Sequence, residues 1–424
     1  MIPFYLLNLA VAVVLLFVPL WFSRRHLHLP VLNPLTIAML AWLPFDLMKL
    51  LVGPVVLIDE GLWDAAFQYA ILMGNVLVLS QTAGMVFFFH AFGRLHIDRY
   101  LPFRDMSMSP RHLQRASYAF LGVFALAFVL LATAEFGLAA WIQNPRTGYQ
   151  LYRSGQGHWY ALAVSALSVA AVLSYLATPR PRAVIVKAFC FLALAYFLGS
   201  KGVMLAHFIA AIVVLWFVSP RHVTRALFLG APLVFLAMAW NLYLALSDAF
   251  ELLSLVEYFD YYKNGADYYR GILSGEIQLF HGEIIASSFW EYVPRALVPD
   301  KPFVYGILHI NEIFYPGQAE MTNTPAFGGA VAQYADFGFP GVLVLGFFSG
   351  EAMLSALLYY LVFRSPGISA QRITLGGMIA LLALVAPNFG EFFPGLLYWG
   401  LIMVVTVLMR TARLRLTAVR PSHT

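Results

Sequence analysis

Arg146 and Arg153 lie seven positions apart in a glycine-rich stretch, WIQNPRTGYQLYRSGQGHWY, residues 141–160. A guanidinium stays charged in any environment and grips phosphate with two parallel N–H donors. If this segment is helical, the spacing puts both arginines on one face. Asn144-Pro145 begins a turn there, and Gly148, Gly155 and Gly157 let the backbone pass close to a ligand or a neighbour. Arg295 repeats the theme between Pro294 and Pro299, with Lys301-Pro302 beyond. Proline fixes φ, so the chain around Arg295 is pre-shaped. Both Arg146 and Arg295 begin an Arg-x10-Gly spacing, ending at Gly157 and Gly306. The chemistry on offer is the binding of a phosphate-rich anion. Headgroup snorkelling and structural ion pairs are the other uses of such arginines.

Other groups join these candidates. Lys201 interrupts an apolar run, so it is either a functional charge or a helix-end lysine that snorkels. Glu283, Glu291, Asp300, Glu312, Glu320 and Asp336 are candidate bases, with His309 beside them; the outward histidines are His158, His281 and His309. Among these, His309 and Glu320 rank first and equal. No two of the histidines have metal-ligand spacing and there is no Asp-x-Asp, so no metal site is expected. Asp46 and Lys49 read as a self-neutralising helix pair. Glu351 reads as a mid-span acid, Glu135 as interfacial, and Asp59-Glu60 as a solvated pair. The tyrosines of 258–269 and Trp290 suit an interfacial aromatic belt or a sugar-stacking surface.

These residues must be positioned by membrane helices. Of 424 residues, 61% are hydrophobic and only 11% charged, with mean hydropathy +0.77, whereas soluble domains run about a quarter charged. Nothing points to nucleic acid. The single cysteine, Cys190, excludes an internal disulfide. Ile2 to Phe22 lacks a signal-peptide pattern and reads as a retained helix. The apolar runs predict an all-α, polytopic chain of eleven transmembrane helices, at 2–22, 33–52, 66–91, 116–140, 159–177, 184–199, 202–218, 224–246, 338–363, 373–388 and 391–409. Under this count 18 of the 26 Lys and Arg residues fall on alternate loops, which places those loops inside, the N-terminus outside and the C-terminus inside. The outward loops are 53–65, 141–158 and 247–337, and residues 1–424 read as a single membrane domain. Loop 247–337 is expected to hold short helices. Arg146, Arg153, Lys201, Lys263, Arg270, Arg295 and Lys301 sit outside against the usual bias and need another reason to be there.

In order and placement these motifs resemble the Wzy-type polysaccharide polymerases of bacterial inner membranes, relatives of the O-antigen ligases. The matching residues are Asn144-Pro145-Arg146 with Tyr149, Arg153 and Gly155-x-Gly157; Gly199-Ser200-Lys201; and Val293-Pro294-Arg295 with Lys301-Pro302. Asn323-Thr324-Pro325 and Tyr334 with Phe337-Gly338-x-x-Gly341 complete the set. Gln333 stands where the family often has an acid. The resemblance implies a multi-pass inner-membrane glycosyltransferase with a GT-C-like fold and a large periplasmic loop, needing neither metal nor cofactor. It would transfer a growing glycan from undecaprenyl pyrophosphate to an incoming lipid-linked repeat unit. Arg146, Arg153 and Arg295 would converge on the donor pyrophosphate, with Lys201 and Lys301 in the same positive patch. His309 or Glu320 would be the base. Tyr149, Asn323, Thr324 and Tyr334 would line the substrate. A chain-length regulator and a flippase are the partners implied, with membrane lipid around the chain. Three other readings are a ligase that moves the glycan to lipid A core, a lipid-linked oligosaccharide flippase or other transporter, and a scaffold or sensor in a polysaccharide assembly complex.

Overall fold

The computed structural model describes residues 2–33, 36–37, 64–97, 109–135, 137–151, 157–246, 260–293, 295, 297–320, 325–360, 382, 400–401 and 403–404. Among the described residues the α-helices of at least five residues are α1 (Ile2–His26), α2 (Ala65–Leu95), α3 (Pro110–Glu135), α4 (Leu138–Gln143), α5 (Pro145–Leu151), α6 (Gly157–Ala177) and α7 (Pro181–Phe197). There follow α8 (Lys201–Val218), α9 (Val223–Leu246), α10 (Asp260–Ser274), α11 (Glu283–Ser287), α12 (Leu308–Phe314), α13 (Val331–Phe347) and α14 (Gly350–Tyr359). Among the described residues there is no strand. Among the described residues, seven stretches are long and apolar enough to cross a membrane. They comprise α1, α2, α3, α6, α8, α9 with its preceding turn, and α13 running into α14. With 17 residues, α7 is at the short end of span lengths. The chain is a multi-pass membrane protein. Most of the expected helix 33–52, and nearly all of 373–388 and 391–409, lie outside the described residues, as do Asp46, Lys49, Asp59 and Glu60.

Two helices depart from their expected bounds for local reasons. The run expected at 116–140 stops at Glu135, and Gly137 at φ 87° starts the separate helix α4. The run expected at 338–363 begins earlier, at Val331, and is non-helical at Gly338 (φ 66°, ψ −153°). Pro340 has no N–H for the carbonyl of Asp336. The N–H of His281 takes that carbonyl instead at 3.0 Å, and Phe280 N–H takes that of Ala335 at 2.8 Å. The kink therefore docks the 280–285 segment onto α13.

The described residues fall into two compact units. One is drawn from Met1–Phe88, Gln150–His158 and Leu242–Met353, the other from Phe89–Tyr149, Trp159–Asn241 and Leu354–Thr424. In the first, small residues let α2 and α13 approach closely. Gly84 faces the Phe347 carbonyl, Gly346 faces Leu77 and Ser80, and Ser80 Oγ donates to Leu343 O at 2.6 Å. Phe67, Ile71, Tyr268, Tyr269, Ile284, Ile310 and Val342 are buried in its core. In the second unit α6 is buried almost throughout from Ala163 to Leu176. Its many alanines and serines make it thin enough to sit among neighbours. Ser117 Oγ of α3 donates to Ala170 O at 2.8 Å, and Lys187 Nζ of α7 donates to Ser174 O at 2.6 Å, near the C-terminus of α6. That is where a cation complements the helix dipole.

Candidate active site

In the second unit, the stretches around Arg146 and Lys201 come together. Asn144 ends α4, its side-chain oxygen accepts Thr147 N–H at 3.2 Å, and Pro145 starts α5. Arg146 follows at once. Its guanidinium lies over the Tyr149 ring, 4.9 Å from the centroid, one helical turn on. The buried Arg146 Nε has no hydrogen-bond partner. Tyr149 in turn packs on Tyr160, with ring centroids 5.5 Å apart.

Gly199 joins this group from the α7–α8 turn. It ends α7 at φ 70°, so close that an added Cβ would stand 2.1 Å from the Pro145 carbonyl oxygen and 2.7 Å from Tyr149 Cβ. Only glycine allows both that backbone and that approach. Ser200 caps α8 by accepting Val203 N–H, which sets Lys201 at the first position of α8. Lys201 is near enough to Arg146 for the two positive charges to oppose one another. Trp141 is the support: fully buried, it donates Nε1–H to Phe197 O at 2.7 Å, and its ring fills the space against Gly148.

A second constellation forms in the first unit. Arg295 donates from Nη1 to Lys301 O (2.6 Å) and Pro299 O (3.3 Å), and from Nη2 to Pro302 O (3.3 Å). Its guanidinium lies 4.0 Å from the Phe303 ring centroid. These bonds occupy three of its five N–H donors and close the 295–303 loop; Nε–H and one Nη2–H remain. Lys301 is buried, with Nζ 4.4 Å from the Tyr305 ring centroid. Gly306, at φ 53°, donates its N–H to Ser287 Oγ at 2.9 Å. The two Arg-x10-Gly spacings are thus different devices, because Gly157 starts helix α6 whereas Gly306 is left-handed.

Ser287 leads to His309. Its hydroxyl donates to Glu283 O at 2.7 Å and contacts His309 Nε2 at 3.2 Å. With the serine proton engaged, Nε2–H of His309 is the donor of that contact, and Nδ1 keeps its lone pair. The Glu283 carboxylate lies 3.9 Å from Nδ1. His309 is partly buried whereas Glu320 is exposed on a short 3₁₀ turn. The fully buried Asp336 accepts Gly282 N–H (2.9 Å) and Ile284 N–H (3.1 Å) on one oxygen and Ile285 N–H (2.9 Å) on the other, which anchors α11.

Tyr334 packs edge-on to Tyr269 at 4.9 Å and to Tyr69 at 6.2 Å in the aromatic core. Beside it, burial, Tyr334 and the Asp336 carboxylate hold the Tyr268 phenol well above its ordinary pKa, so it stays neutral. Arg270, another outward cation, has a structural partner: Nε donates to Asp64 Oδ2 at 2.6 Å, and Asp64 also caps Phe67 N–H. Glu351 is exposed and accepts from Gln81 Nε2 at 3.0 Å.

The structure therefore brings Arg146, Tyr149 and Lys201 together, and separately links Arg295, Lys301 and the His309 pair along one loop. Arg146 belongs to the second unit and Arg295 to the first. Arg153, Asn323 and Thr324 lie outside the described residues. Trp141, Tyr160, Ser287, Phe303 and Tyr305 were missed in the sequence, where single serines and aromatics at these positions carry no spacing signal. Among the described residues no cluster of three or more His, Cys, Asp or Glu side chains could hold a metal ion.

No family model matches the chain, and no solved structure does. Two curated proteins do, both named O-antigen polymerase, from Salmonella typhimurium and Salmonella typhi. Each is 25% identical over 288 residues, covering 62% of this chain and 69% of the relative. Over these residues the chain is similar to proteins named O-antigen polymerase.

Proposed function

We propose that the chain is a polysaccharide polymerase, a glycosyltransferase that moves a growing glycan from undecaprenyl pyrophosphate to an incoming lipid-linked repeat unit at the periplasmic face of the inner membrane. The observation that carries this reading is the similarity to O-antigen polymerases over 288 residues. The meeting of the 144–149 and 199–201 motifs around Arg146 supports it from the side of chemistry.

In this reading, an acceptor sugar hydroxyl attacks the donor's anomeric carbon. The new glycosidic C–O bond forms as the bond to pyrophosphate breaks, and the lipid pyrophosphate leaves with the electron pair. Arg146, with Lys201 near it, neutralises the departing phosphates; Arg153 is assigned to the donor by its sequence motif alone. The uncommitted Arg146 Nε–H is a donor already in place for a phosphate oxygen. Tyr149 holds the guanidinium in position. The acceptor proton goes to His309 Nδ1, and the imidazolium so formed is stabilised between Ser287 and Glu283. This arrangement favours His309 over Glu320 as base. Arg295 orders the loop that carries Lys301 and adds its two remaining N–H donors toward substrate. Asn323, Thr324 and Tyr334 are assigned to substrate contacts. An eleven-span, GT-C-like topology with an outward 247–337 loop belongs to this reading and would put the chemistry on the outer side.

Deleting the gene and sizing the surface glycan tests the assignment. Loss of polymerisation leaves surface glycan one repeat long, and plasmid-borne wild-type protein restores the ladder. Loss of all attached glycan instead points to ligation or flipping and contradicts the reading.

A further inference from the structure

Helices α7, α8 and α9 of the second unit enclose a cavity of about 610 Å³, lined from Val184 to Phe197 on α7, by Met204, Phe208 and Leu215 on α8, and by Leu229 and Leu233 on α9. Its walls are almost entirely apolar. It is not a sealed void: Phe189, Leu229 and Leu233 line it yet are 56%, 67% and 51% exposed. In a chain that crosses a membrane, such a lateral opening faces lipid. The groove follows α7 for about 20 Å at 1.5 Å per residue, slightly more than one leaflet of hydrocarbon, about 15 Å.

One end of the groove is polar, with a histidine and arginines and no acid. His222 and Arg225 complete the lining there. Arg180 and Arg182 enter α7 at the same end as Val184, and Arg221 precedes His222. The Ser219 hydroxyl contacts His222 Nδ1 at 2.7 Å. With that hydroxyl donating, Nε2–H is the donor left for an incoming oxygen. No Asp or Glu occurs between Glu135 and Asp248, so no acid from these helices neutralises the cluster. Among the described residues no carboxylate forms a salt bridge with Arg221 or Arg225.

We infer that this groove is a binding site for one anionic phospholipid, its acyl chain between α7, α8 and α9 and its phosphodiester headgroup at Arg225 and His222. The basic end marks the inner leaflet under the positive-inside rule. The inference uses neither Arg146 nor His309 and does not depend on the polymerase reading.

The test is native mass spectrometry of the full-length protein from neutral detergent, titrated with phosphatidylglycerol or phosphatidylcholine of the same acyl chains. Thermal melts with each lipid, and with inorganic phosphate at equal concentration, run alongside. The expected result is at least tenfold tighter binding of phosphatidylglycerol, a raised Tm with that lipid only, and no protection by phosphate. Arg225→Gln, at an exposed position, should weaken phosphatidylglycerol about fivefold and leave phosphatidylcholine unchanged. Ala188→Phe, which fills the groove, should weaken both lipids while the lipid-free melt stays near wild type. Equal binding of the two lipids overturns the headgroup assignment. Undiminished binding by Ala188→Phe overturns the groove, and so does a lipid-free dimer that Ala188→Phe dissociates, because the occupant is then a second copy.

Discussion

Gly199→Ala probes the junction of the two motifs with a single methyl. The backbone there is at φ 70°, which costs a residue with a Cβ about 1–2 kcal/mol. The new Cβ would stand 2.1 Å from the Pro145 carbonyl oxygen, where ordinary contact begins at 3.4 Å. Backbone, unlike a side-chain end, cannot swing aside, so α5 and the α7–α8 turn must separate by more than an ångström. Overpacking of this kind costs about 1–3 kcal/mol, for a total of about 2–5 kcal/mol. The functional cost is larger in proportion, because a displacement of about 1 Å at a reacting group slows a reaction about 100-fold. Gly202→Ala is the control: its Cβ meets nothing nearer than Ser200 Oγ at 3.8 Å, and alanine in a helix is worth about 0.5–1 kcal/mol over glycine. The assay is surface-glycan length in cells with matched membrane levels of each variant, with melting of the purified proteins. Gly199→Ala should give glycan of one or few repeats and a lower Tm, and Gly202→Ala the wild-type ladder. A full ladder and unchanged melting from Gly199→Ala would refute the claim that this close approach sets Arg146 in place.

Three further outcomes are expected. His309→Gln should slow transfer about 100- to 10,000-fold, as loss of a general base does; Glu283→Gln should lower the rate less, and an undiminished rate would remove Glu283 from the account. Asp336→Asn replaces a two-oxygen acceptor by one oxygen and an amide donor facing backbone N–H groups, so it should destabilise the protein by about 3 kcal/mol, read as a fall in Tm. Arg295→Lys keeps the charge but cannot bridge three carbonyls, so it should raise protease sensitivity of the 295–303 loop and slow transfer; wild-type behaviour in both would assign the loop's order to its prolines alone.

Composition made the membrane class and the major spans readable, because a run of about 20 apolar residues has few other uses. The sequence also marked the 144–149 and 199–201 stretches separately as candidates. It could not show that they touch, since the contact rests on one glycine's φ and on the distance to a carbonyl fifty-four residues earlier. The kink at Gly338 was legible in principle from Pro340, but its consequence was not. Asp336 looked like any other candidate base until its oxygens were found on three amides more than fifty residues away. Ser287 and Glu283 gained meaning only through His309, for the same reason. Arg295 was legible as special through its prolines; that its own loop takes three of its donors was not.

The central claim is that this chain forms glycosidic bonds with a lipid pyrophosphate as leaving group and Arg146 at that group. It is tested most directly by purified protein in liposomes, supplied with undecaprenyl-pyrophosphate-linked repeat units and a metal chelator. The account predicts a ladder of longer glycans with one undecaprenyl pyrophosphate released per bond formed. It also predicts an about 100- to 1,000-fold slower release from Arg146→Ala, the cost of one lost charge-stabilising contact. Absence of any product from folded wild-type protein, or an undiminished ladder from Arg146→Ala, would contradict it.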